Sequence, residues 1–459
     1  MPSPAAHALR DATRATTIGF VHLGCSKNQV DSEVMLGMLS KDGFVLTDDP
    51  ARAEVVIINT CGFIEEAKQE SINAIIEHGA LKQNGVCKVL IAAGCLSQRY
   101  QGDLLKALPE LDGVIGTGET GRIAEICRTL LRPGRKTQRL WTSPPPYLYD
   151  ELTPRLRIGK RHSAYVKIAE GCNRNCAFCA IPIMRGKQRS RTVASIVEEV
   201  RTLAAEGVKE INLVSQDTIN YGVDLGLRNG LVTLLRDLVT VQGVRWVRPF
   251  YLYPQQVTDE LIALYAGEAT ITKYMDMPFQ HIHDAMLTRM HRLGNKASIT
   301  ALVDRLRTRI PGLSFRTAFI VGFPGETKAA FTELKRYLSE MEFDRVGVFC
   351  YSDEEGTSAV DLDTKIAREV MEERRDELLA IQEAISLKKS RQKIGRTIDV
   401  LVEGLSEETE LLLAGRHEGQ APEIDGVVYL NDGTANAGDI VQATITDAAA
   451  YDLVGRIVG

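Results

Sequence analysis

The sequence of 459 residues has no apolar run long enough to cross a bilayer. Its opening, MPSPAAHALRDATRATT, has no apolar core of signal-peptide length, so neither a membrane-spanning nor a secreted chain is expected, and the expected location is cytoplasmic. Low-complexity tracts are also missing. With 44% hydrophobic and 25% charged residues the chain falls among soluble globular proteins rather than disordered or fibrous ones. Nine cysteines without a secretory signal are poor material for disulfides, because cytosolic thiols stay reduced and serve metals or catalysis. A chain of this length should divide into two to four domains, each with its own core.

Three strand-like runs come first, TIGFVHLG, AEVVIINT and KVLIAAG, each followed by helix-compatible sequence, which predicts an α/β domain with a parallel sheet over residues 1–140. The string PGRKTQRLWTSPPPYLYDELTPRLRIGK, with three consecutive prolines and many charges, predicts an extended linker, placed at 141–160. Six further strand candidates alternate with helical stretches across 161–390: AYVKIAEG, EINLVSQD, VRWVRPFYLY, TKYMDMPFQ, LSFRTAFIVGF and DRVGVFCYS. Six βα units predict a partial (β/α)6 barrel. Residues 362–394 contain almost no breakers and predict one long helix leaving it. From 391 to 459 short β-type runs separated by Gly, Asp and Asn predict a small antiparallel β-barrel. From Arg396 onward this tail carries 3 Lys plus Arg against 12 Asp plus Glu, a net of −9 in a chain whose total is −5. Such a module repels phosphate backbones and attracts basic surfaces, so nucleic acid is not the expected main substrate and a basic protein is.

The run AYVKIAEGCNRNCAFC places Cys172, Cys176 and Cys179 in a C-x-x-x-C-x-x-C loop after the first barrel strand, at the end where barrel enzymes build active sites. Three thiolates hold three corners of a four-iron cubane and leave the fourth iron open. A zinc knuckle or three structural thiols also suit the cysteines, although no Cys or His follows Cys179 closely to complete a tetrahedral site. The loop resembles that of the radical S-adenosylmethionine (SAM) superfamily. There the open iron chelates the amino and carboxylate groups of SAM, and an electron cleaves the sulfonium to a deoxyadenosyl radical. The resemblance places Phe178 near the adenine. It places Ser215, Gln216 and Asp217, which end the second strand, near the methionine end, although a capped turn explains them equally well. Within GFPGET, Gly322 and Glu326 resemble a recurring feature beside SAM, or form a strand-to-helix turn.

Cys25, Cys61 and Cys95 are too widely separated for a short metal motif. Each follows a predicted strand, however, and parallel strands joined by helices align their C-terminal ends along one edge. The three either converge on a second open cluster or are unrelated buried thiols. The strings GCSKNQVDSE, NTCGFIEEAK and GCLSQRY, followed by EGCNRNCAFCAIPIMRGKQRSR and a small β tail, resemble the methylthiotransferases over nearly the whole chain. Among these they are similar to the RimO type, which modifies an aspartate of small-subunit ribosomal protein S-twelve. That resemblance implies an auxiliary [4Fe–4S] cluster on Cys25, Cys61 and Cys95, a second [4Fe–4S] cluster with SAM on the barrel, and a TRAM-type tail. It also implies an external electron donor, a sulfur donor, polar methyl transfer to cluster-bound sulfur and then radical thiolation of the aspartate β-carbon. A tRNA-adenosine methylthiotransferase and a nonenzymatic iron–sulfur electron carrier or redox sensor are the rival readings.

Several other features carry less. GTGETG at Gly116 to Gly121 fits a dinucleotide motif but lacks the acidic residue about 20 positions on, and reads as a turn. Cys87, Cys127 and Cys350 have no partner at ligand spacing, and His281 and His283 suit a structural role. The basic string from Arg185 to Arg191 reads as a solvated helix approach or an anion patch, with Arg185 as a contact to SAM or substrate.

Overall fold

The computed structural model describes residues 15–132, 139–144 and 147–458, so part of the predicted linker, including Pro145 and Pro146, lies outside the described residues. The chain forms two compact units, one running to Ile158 and including Ala180–Lys187, the other made of Gly159–Cys179 and Gln188 onward.

The first unit is built on a six-stranded parallel sheet of β1 (Thr17–His22), β2 (Val45–Thr47), β3 (Val55–Thr60), β4 (Val89–Gly94), β5 (Gly113–Ile115) and β6 (Leu140–Trp141), in the order β2-β1-β3-β4-β5-β6. Central parallel strands are covered on both faces and therefore read as unbroken apolar runs. Every residue of β3 and β4 is buried. Successive side chains point to opposite faces, so Val55 and Ile57 enter one core with Ile18 and Met35, while Val56 and Ile58 enter the other with Leu90 and Leu96. Helices α1 (Ser26–Lys41), α2 (Glu65–Gly79) and α3 (Cys95–Ala107) follow β1, β3 and β4.

In the second unit β7 (Ser163–Lys167) leads into a two-residue ribbon of β8 (Ala169–Glu170) and β9 (Arg189–Ser190). The remaining large strands are β10 (Glu210–Val214), β11 (Trp246–Pro249), β12 (Tyr274–Asp276), β13 (Ser314–Val321) and β14 (Arg345–Cys350). Parallel pairing orders them β7-β10-β11 and β12-β13-β14, and a parallel bridge from Val247 to Ile271 joins the two groups. The six strands thus lie in chain order. Among the described residues β7 and β14 do not pair, which leaves the barrel partial. The long helix α4 runs from Arg368 to Arg391, starting later than the predicted 362 because Ala367 is still extended (ψ 145°). It buries Leu378 and Ile385 in the barrel core, and its Gln382 donates to the Phe343 carbonyl at 3.0 Å.

The tail closes into a five-stranded barrel, β15 (Thr397–Leu405), β16 (Leu413–Arg416), β17 (Val428–Asp432), β18 (Ile440–Ala448) and β19 (Leu453–Ile457), in the cyclic order β15-β16-β17-β19-β18. Four of its pairings are antiparallel and β17 with β19 is parallel. An odd ring cannot alternate direction throughout, so one parallel seam is a geometric necessity. Within this unit Arg416 of β16 reaches Glu210 at the start of β10 (2.6 Å), and Arg248 of β11 meets the same carboxylate at 2.9 Å. All three side chains are buried.

Candidate functional site

Each of Cys25, Cys61 and Cys95 sits where the sequence places it, just past the C-terminal end of β1, β3 or β4. Cys25 is the residue before α1, and Cys95 is the first residue of α3. Close approach of these loops depends on Gly24, whose φ is +93°, since a Cβ there would stand 2.9 Å from Cys61 Cβ and 3.3 Å from its sulfur. The thiols lie within electrostatic reach of one another. Burial raises the Cys61 pKa and the neighbouring Cys25 thiol adds to this, while burial pushes Cys95 up to about 12 against the pull of Arg185. Cys25 is exposed as a residue although its thiol is desolvated. That desolvation is outweighed by Lys27, Arg185 and the N–H groups of Asn28 and Lys27, so its pKa falls below the ordinary value.

Asn28 ties the strand ends together. Its side-chain amide donates to the carbonyls of Leu23 (2.6 Å), Thr60 (3.3 Å) and Asn59 (3.4 Å). Arg185, expected to contact SAM or substrate, is instead buried behind this trio and pairs with Asp31 at 2.7 Å. Its other terminal nitrogen donates to Cys95 Sγ at 3.1 Å and to Asn28 Oδ1 at 3.3 Å.

In the second unit Cys172, Cys176 and Cys179 occupy the loop after β8. The Cys179 N–H donates to the Cys176 carbonyl (3.1 Å), which turns the loop tightly, and Ala177 is pinned on both sides by Met290 (3.0 Å) and Ala359 (2.9 Å). Two donors approach the sulfurs: the Arg174 N–H stands 3.4 Å from Cys172 Sγ and an Arg292 amino group 3.5 Å from Cys176 Sγ. Burial pushes the Cys172 thiol up to about 11.

Gln216 and Asp217 serve this loop. Gln216 accepts from the Gly171 N–H at 2.9 Å and donates to Glu170 at 3.0 Å, while Asp217 receives Arg174 at 2.6 Å and Asn220 at 2.5 Å. One buried Asp217 oxygen, Oδ1, has no hydrogen-bond partner among the described residues. Ser215 turns to Thr218 (3.0 Å). Phe178 packs against the cluster that contains Met290, Phe323 and Tyr351. Glu326 is buried and fully engaged with protein, accepting from the Gly322 N–H (2.5 Å), Arg374 (2.6 Å) and His281 (3.1 Å). His281 is buried with its ring held by Glu326, and Cys87 and Cys127 lie in the sheet cores. What the sequence did not disclose is that Tyr253 is sandwiched between the guanidinium groups of Arg174 and Arg292, 3.9 and 4.0 Å from the ring centre. The one available signal was the position of Arg174 inside C-N-R-N-C.

Among the described residues no three His, Cys, Asp or Glu side chains close on a single-ion centre. A cubane asks for a different arrangement, one thiolate on each of three irons, and the donor sets here, three cysteines apiece beside cationic groups, suit it chemically.

Three family models match the chain: the Uncharacterized protein family UPF0004 over residues 17–116, the Radical SAM superfamily over 166–338 and the TRAM domain over 394–458. The ribosomal protein uS12 methylthiotransferase RimO of Anaeromyxobacter sp. (strain K) is 50% identical over 97% of this chain and 94% of its own length. Those of Pelobacter propionicus and Geobacter sulfurreducens are 48% and 47% identical, over 97% and 96% of this chain and 99% and 98% of theirs. The chain belongs to the RimO methylthiotransferase family. It is thus a radical SAM enzyme, and membership brings SAM and a [4Fe–4S] cluster with it. In fold it is similar to the radical SAM methyltransferase TsrM from Kitasatospora setae, solved with cobalamin and a [4Fe–4S] cluster, at a TM-score of 0.56 and 16% identity over 75% of this chain and 77% of that one. No helix among the described residues is long and apolar enough to cross a membrane.

Proposed function

We propose that Cys172, Cys176 and Cys179 hold the cluster that works on SAM, that Cys25, Cys61 and Cys95 hold a second [4Fe–4S] cluster, and that the enzyme transfers a methylthio group to the β-carbon of an aspartate of ribosomal protein uS12. The observation that carries this reading is the presence of two three-thiol sets, one at the C-terminal ends of parallel strands and one on the loop after β8, each too small to complete the ligation of a four-iron cluster. When bound, these groups supply the electron for reductive SAM cleavage and the sulfur that is methylated and transferred, chemistry that no side-chain acid or base performs on an unactivated C–H bond. The electron and the sulfur come from an external reductant and a sulfur donor.

The chain's own residues position and enclose. Gln216 fixes the Gly171 end of the cluster loop, and the Arg174–Asp217 pair fixes its middle. The buried, unpartnered Oδ1 of Asp217 faces the question of what it receives; an ammonium group such as that of SAM supplies the missing donor. Phe178, on an apolar bed, offers a face for adenine stacking. Ser215, Gly322 and Glu326 act one step back, since their hydrogen bonds go to protein groups that shape the strand ends. The acidic tail, with 12 carboxylates against 3 cations beyond residue 395, attracts a basic ribosomal protein and disfavours RNA.

The test is anaerobic incubation of the reconstituted enzyme with SAM, sulfide, a strong reductant and either a uS12 peptide containing the aspartate or tRNA, read by mass spectrometry. A methylthio adduct on the peptide alone is expected. An adduct on tRNA alone overturns the substrate while leaving the two-cluster reading in place.

A further inference from the structure

Arg185 is a buried cation of the first unit whose hydrogen bonds include a cysteine sulfur. Its side chain is 2% exposed, and one terminal nitrogen is spent on Asp31 at 2.7 Å, 154 positions away in sequence. The other divides between Asn28 Oδ1 and Cys95 Sγ. Asn28 in turn grips the carbonyls that end β3. The guanidinium is therefore held by Asp31 and Asn28 with one terminal nitrogen on the sulfur, and the Asp31 carboxylate is on the other nitrogen.

We propose that Arg185 is a positioning residue for the second cluster, aimed by Asp31 and Asn28 so that its N–H and positive charge rest on the Cys95 thiolate and raise the reduction potential of the group held there. This rests on the reading that Cys25, Cys61 and Cys95 hold a cluster. The sign follows from Coulomb's law: reduction adds negative charge to the cluster and its sulfurs, and a cation 3.1 Å from one sulfur stabilises the reduced form more than the oxidised one. Asp31 is farther from the sulfur by the width of the guanidinium and offsets only part of this. The expected size is a tenfold change in the reduction equilibrium, which for one electron is about 59 mV.

The experiment uses the full chain with Cys172, Cys176 and Cys179 all changed to Ala, so that any remaining cluster is the one at issue, and reads its midpoint by redox titration with EPR detection. If this parent binds no cluster after reconstitution, the underlying reading fails and the proposal with it. Given a cluster, Arg185→Gln is made together with Asp31→Asn, because Gln alone would leave a buried carboxylate without its partner and threaten the fold. The expected result is a midpoint more negative by about the tenfold step, with iron content retained. Asp31→Asn alone keeps the cation and removes its counter-charge, so it should shift the midpoint the opposite way. A double variant with the parent's midpoint overturns the proposal, as does a shift of the same sign in both variants, which would indicate repacking. Loss of iron from the double variant also overturns it, making Arg185 an assembly residue instead.

Discussion

Single residues here act mostly by holding other residues still. If Cys61 is a ligand, Cys61→Ala should abolish methylthio transfer while deoxyadenosine still forms from SAM, and chromatography of the two products separates these outcomes. Gln216 makes a different kind of contribution. Replacing it with Leu removes the partner of the Gly171 N–H and one of the donors to Glu170, a loss of about 1–2 kcal/mol in loop geometry. Reductive SAM cleavage should slow roughly tenfold, with far-UV circular dichroism unchanged; an undiminished rate would show that the loop does not need this clamp. The six cysteines were legible because strand ends and a short C-x-x-x-C-x-x-C loop are local features. Arg185 was not, because its partners Asp31 and Cys95 are distant in sequence and nothing in RGKQRSR distinguishes a buried arginine from a solvated one. The guanidinium sandwich on Tyr253 was hidden for the same reason.

At the scale of elements, legibility follows burial. The strands β3, β4, β10 and β11 announce themselves most clearly, since every one of their residues is buried. The strands β2, with one exposed and two half-buried residues, and β6, only two residues long, lack that pattern, and so does β19, whose LVGRI alternates buried and more exposed positions around a glycine. The turn after β13 illustrates a constraint that is written in the sequence as GFPGET but understood only in space. Gly322 has a φ of +74°, and a Cβ there would collide with Met371 of α4. Gly322→Ala should therefore cost about 1–3 kcal/mol and lower the thermal midpoint by several degrees. Shortening the obstacle in Gly322→Ala/Met371→Ala should relieve the collision but not the backbone strain, so a double variant that melted with the parent would contradict the φ argument.

Within the second unit, the Glu210, Arg248 and Arg416 triad makes stability depend on pH. Burial alone would raise the Glu210 pKa, but Arg416 and Arg248 hold it down to about 2. A carboxylate depressed in the folded state stabilises above its unfolded pKa, and that contribution is lost as pH falls from the ordinary glutamate range toward 2. His417, kept neutral by burial and by nearby cations, works in the same direction from the imidazole range downward. Melting curves should therefore show the small barrel and the large one losing stability together on acidification. Arg416→Leu, which leaves Glu210 with Arg248 alone and takes a partner from Glu403, should cost about 3–5 kcal/mol at neutral pH, and the deficit should shrink as the solution is made acidic. Charge on the outer surface of the tail has a separate effect. Replacing exposed Glu407 and Glu410 with Gln should weaken binding of a basic uS12 peptide roughly threefold at low salt, and less at high salt, without slowing SAM cleavage.

The triad also bears on how such enzymes exchange parts. Arg416 belongs to the tail, yet the carboxylate it neutralises lies in the large barrel, so the two modules share one buried ion cluster. A chimera that grafts a foreign C-terminal module onto this barrel inherits a buried glutamate in want of its second cation. Recombination among related enzymes is thereby filtered: only tails bringing an arginine to that spot, or barrels lacking the glutamate, yield a stable hybrid.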